Sequence, residues 1–381
     1  MAKGRTVLQV LDEAEDRAIA TCTTCPTLCR WSCPVAEAEA RETTSPQRLV
    51  VLAGFMKRGR VSVEAARALP YHCSQCGACT EACLHDNDVP MVLAAARSRV
   101  MAAGAAPHAV REVVGHFGVS GNPQGTSLEP ALDAVLAETG HKKVRGGEHV
   151  YFPGCSTLEL MPEAAVGFLR ASSLSGLSDL AVRPSSASCC GLPLFWAGEL
   201  EGFRGHAARF AAQFTGVKRL VVHDAACAHA LIHLYPQVGV RFEPEVVHVT
   251  RYLMDGLRAH DAEASTKGPP EERIAYADTC SLARGLDITD APRRLIAKRF
   301  RKRVVELDED TGRAVDCCGA SGLLPLTAPE TAQAMAEARL DAFRRSGAAQ
   351  LAVASPRCAA HLKSVDPTAP VVDMGTLLGR L

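Results

Sequence analysis

The chain has 381 residues, with 42 basic against 42 acidic side chains, 47% hydrophobic residues and only 5% aromatics. This length suggests two or three domains. The charge balance argues against a general nucleic-acid binder, and the scarcity of aromatics against a single-strand binder. No run approaches the roughly 18 apolar residues of a membrane span. The charged, amphipathic start MAKGRTVLQVLDEAEDRA does not read as a secretory signal. A cytoplasmic location is therefore expected, with contact to the inner face of the membrane only through partners. In a reducing cytosol, cysteines at short spacing point to metal or redox chemistry and away from disulfides.

Along the chain, Val7, Leu8, Val10 and Leu11 alternate with Glu13, Glu15 and Asp16, predicting an amphipathic helix over Thr6–Ala20. It ends at a first cysteine set: Cys22, Cys25, Cys29 and Cys33. Residues 46–68 read as helical, with Leu49, Val50, Leu52, Ala53 and Phe55 as the apolar stripe. A second set follows: Cys73, Cys76, Cys79 and Cys83. Asp88 is placed to cap a helix over Val89–Ala103, with Pro90 in its first turn. The turn-rich Ser120–Pro130 reads as a linker.

Beyond about residue 147 the chain repeats itself. His149–Ser156 (HVYFPGCS) matches Ile274–Ser281 (IAYADTCS), and Ser188–Gly191 (SCCG) matches Asp316–Gly319 (DCCG). Leu220–Leu231 matches Leu351–Leu362, and Val246–Met254 matches Val371–Leu378. Matching cysteines are offset by 125, 128 and 131 residues (155 to 280, 189 to 317, 227 to 358). This predicts a duplicated α/β domain joined by the polar stretch Ala259–Glu272. Strands that end at a cysteine, with helices following, would gather the thiols of each copy at the carboxyl edge of a sheet, where open α/β sheets bind ligands. The expected divisions are residues 1–130, 147–260 and 272–381.

All 16 cysteines thus fall into four sets of four, the wide ones being Cys155, Cys189, Cys190, Cys227 and Cys280, Cys317, Cys318, Cys358. Cys73-x2-Cys76-x2-Cys79-x3-Cys83 has the bacterial ferredoxin spacing, in which the fourth cysteine ligates the other cluster. By that rule Cys73, Cys76, Cys79 and Cys33 would hold one [4Fe–4S] cluster. Cys22, Cys25, Cys29 and Cys83 would hold the second. A zinc ribbon would want two C-x2-C pairs and leave half of these thiols idle. The first set departs from the pattern by one extra residue before Cys29. Pro26 stands where Gly77 follows Cys76, removing an amide donor, which should lower that cluster's potential.

The wide spacing, a cysteine, then Cys-Cys-Gly, then a cysteine near a helix start, resembles the CCG domain of heterodisulfide reductases. It is also similar to the iron–sulfur subunit of anaerobic glycerol-3-phosphate dehydrogenase and to glycolate and lactate oxidation proteins. In several of these a two-cluster ferredoxin module precedes two CCG domains. The resemblance implies an α+β multidomain fold: an all-α two-[4Fe–4S] module, then two duplicated α/β CCG domains.

In the catalytic members of that family five cysteines per domain hold a non-cubane cluster that splits a disulfide. Here the fifth position is Ala230 in the first copy and His361 in the second. His361 is thus a candidate metal ligand or a solvent-facing helix residue, and His229 reads as structural. Gly191 and Gly319 fit a backbone passing close to a cluster.

Two features carry a bland alternative. The basic run Arg293, Arg294, Lys298, Arg299, Arg301, Lys302, Arg303 could meet an acidic partner or anionic lipid, or be a solvated helix face. Trp31 and Trp196 could shield clusters from water, or simply pack.

The resemblance implies an iron–sulfur electron-transfer subunit with no catalytic residue assigned. It would hold two [4Fe–4S] clusters and one or two further iron–sulfur clusters, cubane or non-cubane. Neither a G-x-G-x-x-G after a strand nor a P-loop is present, so flavin would belong to a partner dehydrogenase. Hydrogenase is an open alternative as partner, and quinone, a membrane cytochrome or a thiol carrier as acceptor. Two rival readings remain: a disulfide reductase in its own right, and a zinc-holding docking scaffold.

Overall fold

The computed structural model describes residues 7–177, 179–259, 273–300, 304–307 and 311–380. Up to residue 139 the described elements are all helical. Two four-stranded parallel sheets follow. The first contains β1 (His149–Phe152), β2 (Leu180–Ala181), β3 (Arg219–Val222) and β4 (Glu245–His248), in the order β2-β1-β3-β4. The second contains β5 (Ile274–Ala277), β6 (Val304–Glu306), β7 (Gln350–Val353) and β8 (Val371–Asp373), in the matching order β6-β5-β7-β8. The repeat in the sequence is thus a repeat in topology, and the chain is an α+β multidomain protein.

The central strands are buried on both faces, as parallel sheets require. Tyr151 of β1 faces one core, stacking on Phe168 at 4.7 Å, while its neighbours Val150 and Phe152 face the other, where Phe152 meets Phe210 at 5.1 Å. That alternation is the strand's period of two. The cores do not stop at the domain edges. One joins Met56, Tyr71 and Val100 of the helical module to Phe195, Phe203 and Phe210 of the first sheet domain. Another joins Phe168 and Tyr252 of the first sheet domain to Ile274, Leu295 and Met374 of the second. Helix Pro162–Leu174 presses so closely on the second domain that a Cβ on Gly167 would lie 2.2 Å from the Gly375 carbonyl oxygen.

The first helix runs Val7–Thr24, four residues past its expected end, and Thr6 lies outside the described residues. The helix expected over 46–68 is broken. It runs Pro46–Lys57, turns at Gly59, where φ is +65°, and resumes as the single turn Val63–Ala66. Asp88 does cap helix Val89–Ala102, accepting from the Met91 amide at 3.1 Å. Between residues 120 and 130 the chain is tied in place: Asn122 is buried, donates to the Thr126 carbonyl and accepts from the Gln124 and Gly125 amides.

The basic run is neither a continuous solvated face nor a free patch. Arg293 lies 4.9 Å from the Tyr276 ring centre and pairs with Asp278 and Glu306, and Arg299 is 8% exposed. Arg301, Lys302 and Arg303 lie outside the described residues, as does most of the stretch Ala259–Glu272. No described helix is long and apolar enough to cross a membrane.

Candidate metal centres

All 16 cysteines are free thiols. Cys22 interacts electrostatically with Cys29, Cys83 and Cys25. Cys33, Cys73, Cys76 and Cys79 line one cavity, walled by apolar Val35, Leu49, Val89 and Leu93. Cys83 thus lies near the thiols of the first motif and Cys33 beside those of the second, while Cys79 is also within electrostatic reach of Cys29. Burial pushes Cys22 up to about 11 and Cys33 up to about 12, and holds Cys79 high as well. Thiols packed this way do not ionise without a cation nearby.

In the first sheet domain, Cys155 follows β1 and opens helix Cys155–Leu160, while Cys227 follows β3 inside helix Ala225–His229. Cys189 and Cys190 come from the loop after β2. The sulfurs of Cys155 and Cys189 are 3.3 Å apart and those of Cys190 and Cys227 3.1 Å apart, well beyond the roughly 2.05 Å of a disulfide. The second domain repeats the arrangement after β5 and β7, with Cys318 and Cys358 sulfurs 3.0 Å apart. All eight wide-set thiols are at most 8% exposed. Hydrogen bonds from the flanking thiols hold Cys190 and Cys318 well below the usual thiol range, while their partners are pushed above it.

The glycine of each Cys-Cys-Gly has a specific duty. Gly191 and Gly319 have φ of +80° and +90°, and their amides each donate at 3.4 Å to the sulfur two residues earlier, Cys189 and Cys317. A side chain at Gly319 would also strike the Ala332 carbonyl. Amide donors to thiolate sulfur are what tune an iron–sulfur centre.

Among the described residues no group of three or more His, Cys, Asp or Glu side chains is ready to close on a single ion. A cluster asks for something else, because each thiolate binds its own iron and the thiols stand round a volume. Four buried thiols in each wide group, with backbone amides directed at sulfur, and a lined cavity at the second compact group fit that requirement.

Ala230, at the vacant fifth position of the first domain, is fully buried in a π-helical turn over Ala230–Leu234. His361 is half-buried, near Cys318, and its Nε2 donates to the Ala332 carbonyl at 3.1 Å, which leaves Nδ1 as the nitrogen that could ligate. His229 bonds the Gly285 carbonyl through Nδ1. Trp196 is buried, but Trp31 is 83% exposed and shields nothing; its indole lies beside the Arg30 guanidinium, at 5.5 Å.

Two of the groups lie side by side. Cys76 of the second compact group is close enough to Cys317 of the second wide group for that thiol to be the first cause that lowers Cys76. Arg284 donates from Nε to the Cys76 carbonyl at 2.9 Å. A cleft of about 210 Å³ opens at the junction of all three units, with Cys76, Cys280, Trp196, His229 and Arg284 in its walls. Sequence reasoning passed over Arg97, Arg284 and Arg357. The available signal was a basic residue one position before Cys358, or four after Cys280, in otherwise apolar helix starts.

Residues 18–87 match the 4Fe-4S dicluster domain, and residues 149–232 and 274–363 each match the cysteine-rich CCG domain. The chain is 24% identical over 372 residues to a fumarate reductase (CoM/CoB) subunit from Methanothermobacter marburgensis, covering 95% of this chain and 71% of that one. It is 27% identical over 301 residues to a dihydromethanophenazine:CoB–CoM heterodisulfide reductase subunit from Methanosarcina barkeri, covering 76% and 71%. It is 23% identical over 185 residues to lactate utilization protein A of Bacillus cytotoxicus, covering 46% and 74%. The chain is an iron–sulfur protein of the kind found as a subunit of oxidoreductases.

Proposed function

We propose that this chain, built from a 4Fe-4S dicluster domain and two CCG domains, is the electron-relay subunit of an oxidoreductase complex. A partner dehydrogenase, carrying the flavin, supplies electrons at the first compact group (Cys22, Cys25, Cys29, Cys83). They pass to the second (Cys33, Cys73, Cys76, Cys79) and leave through the second wide group to a quinone, a membrane cytochrome or a thiol carrier. When bound, the clusters accept and donate single electrons; the thiols hold them and fix their separation. The observation that carries this reading is Arg284, which donates to the Cys76 carbonyl at 2.9 Å and faces Cys280 and Cys317, so that a ferredoxin-type group and a CCG group share one cation. The cleft beside it lets a small acceptor approach Cys76 and Cys280 together.

The protein should work as a relay and not as a disulfide reductase, because each CCG domain offers four thiols where the catalytic relatives use five. Anaerobically reconstituted protein should bind about eight irons in the compact groups, four per cubane, plus further iron in the wide groups. It should pass electrons from its dehydrogenase to a dye or quinone yet turn over no disulfide by itself. Stoichiometric zinc in both wide groups, or rapid disulfide reduction by the isolated chain, would overturn the proposal.

A further inference from the structure

Arg357 belongs to the second CCG domain but serves the first. Its backbone sits one residue before Cys358, in helix Pro356–Val365, whose cap Ser355 accepts from the Cys358 amide. Its side chain leaves that domain altogether. Nη2 donates to Asp224 Oδ2 at 3.2 Å, and the guanidinium lies 4.9 Å from the centre of the Trp196 ring. Both Asp224 and Trp196 belong to the first domain, and Asp224 is 1% exposed. Asp224 uses its other oxygen to accept from the Ala226 amide, capping the helix that carries Cys227. The guanidinium is within electrostatic reach of Cys155, Cys190 and Cys227, and its Nε is buried with no hydrogen-bond partner.

The duplication makes this arrangement one-sided. At the offset of 131 that aligns Cys358 with Cys227, the residue matching Arg357 is Ala226. The first domain therefore returns no cation to the second from this position. Arg357 is also permanently charged at any working pH.

We infer that Arg357 is a positioning residue that raises the reduction potential of the centre held by Cys155, Cys189, Cys190 and Cys227, offsetting the buried charge of Asp224 and setting this centre apart from its duplicate. The inference rests on the reading of the wide groups as iron–sulfur centres. A thiolate-bound centre gains negative charge when reduced, and a fixed cation in a low-dielectric interior favours that state. Asp224 alone would oppose it.

The test is an EPR-monitored redox titration of the full, reconstituted chain. Arg357→Gln should move the midpoint of the first CCG centre downward by at least a tenfold change in the oxidised-to-reduced ratio, about 59 mV for one electron. The second CCG centre should move less. Arg357→Lys keeps the charge and should stay close to the parent. Asp224→Asn keeps the helix cap, removes the opposing charge and should shift the same midpoint upward, so the inference stays testable where Arg357→Gln folds poorly. Iron bound at the first centre with an unmoved midpoint in Arg357→Gln and Asp224→Asn overturns the inference alone. An iron content unchanged by Cys227→Ser shows that the first wide group binds none, and overturns the underlying reading with it.

Discussion

Arg97 donates from Nη1 to the carbonyl oxygen of Gly322, 225 residues further along the chain, at 3.1 Å. The same guanidinium reaches the carbonyls of Trp196 (2.8 Å), Pro70 (2.9 Å) and Cys73 (2.8 Å), and Arg97 has no exposed surface at all. One buried cation thus ties the helical module to both CCG domains. It does so through carbonyl groups and the Tyr71 ring, 5.0 Å away. The Cys73 carbonyl is among its partners, so the fixing of the domains also fixes the backbone of a metal-binding loop.

Arg97→Met should cost on the order of 3–5 kcal/mol in denaturant unfolding, because four buried carbonyls lose charged donors at once. Arg97→Lys should fall between, since a point charge satisfies fewer of those acceptors than a planar fork. A loss below about 1 kcal/mol for Arg97→Met would show that water or a rearranged loop replaces the guanidinium.

Crossed ligation gives the second prediction. Cys33→Ser should disturb the centre at Cys73, Cys76 and Cys79, and Cys83→Ser the centre at Cys22, Cys25 and Cys29. The spectra of reduced single variants, compared with Cys25→Ser and Cys76→Ser, decide the matter. Cys33→Ser must resemble Cys76→Ser, and Cys83→Ser must resemble Cys25→Ser. The reverse pairing would place each motif on its own cluster.

Much of this architecture is written locally. The strands β1, β3, β5 and β7 are runs such as LVV and LAV closed by turn residues, and the cysteines sit where the strands end, so the repeat exposes both sheet and site. The edge strands β2 and β6 are not legible, because two or three residues at a sheet edge need no apolar run. Nor is the role of Trp31, whose neighbourhood to cysteines in sequence says nothing of which way the chain turns. The three arginines Arg97, Arg284 and Arg357 were hidden for a different reason. Each acts on a partner in another unit, and the joint cores that bring the units together are a tertiary fact. The Tyr151–His223–Asp373 chain, with contacts of 2.7 and 2.9 Å across the two CCG domains, is of the same kind.

His248 sets an acid limit on stability. It is 2% exposed and held down at about 3, first by burial and then by the His223 ring. Its Nε2 donates to the His223 carbonyl at 2.9 Å, so Nδ1 accepts from the Thr250 hydroxyl at 2.8 Å and the Thr250 amide at 3.3 Å. Protonating Nδ1 would set it against the Thr250 amide, force the hydroxyl to reverse and bury the charge. The unfolded chain takes up this proton near 6.5 and the folded one only near 3. Stability should therefore be unaffected by His248 above about pH 6.5 and should fall by about 1.4 kcal/mol per unit between there and about 3. Melting temperatures across that window should drop more steeply for the parent than for His248→Asn. Equal slopes would mean that another group governs the acid transition.

Arg284 offers the most discriminating experiment on the relay. Nε donates to the Cys76 carbonyl, Nη1 donates to the Val315 and Arg313 carbonyls at 2.6 and 2.8 Å, and Nη2 is buried without a partner. None of these acceptors is a carboxylate. Its positive charge reaches Cys76, Cys280 and Cys317, which belong to two different groups, and more weakly Glu81. A cation shared between neighbouring centres favours the reduced form of both. Arg284→Leu should lower the midpoints of the second compact centre and the second CCG centre together, each by roughly a tenfold change in the redox ratio, about 59 mV. The first compact centre should move much less. Electron flow from the dehydrogenase to a dye should slow, because the step from the first compact centre into this pair becomes uphill. Arg284→Lys should recover the midpoints only in part, lacking the fork that holds the Cys76 and Val315 carbonyls. A shift confined to one centre would mean that Cys76 and Cys317 do not lie on a common path, and the electron route would have to be redrawn through the first CCG domain.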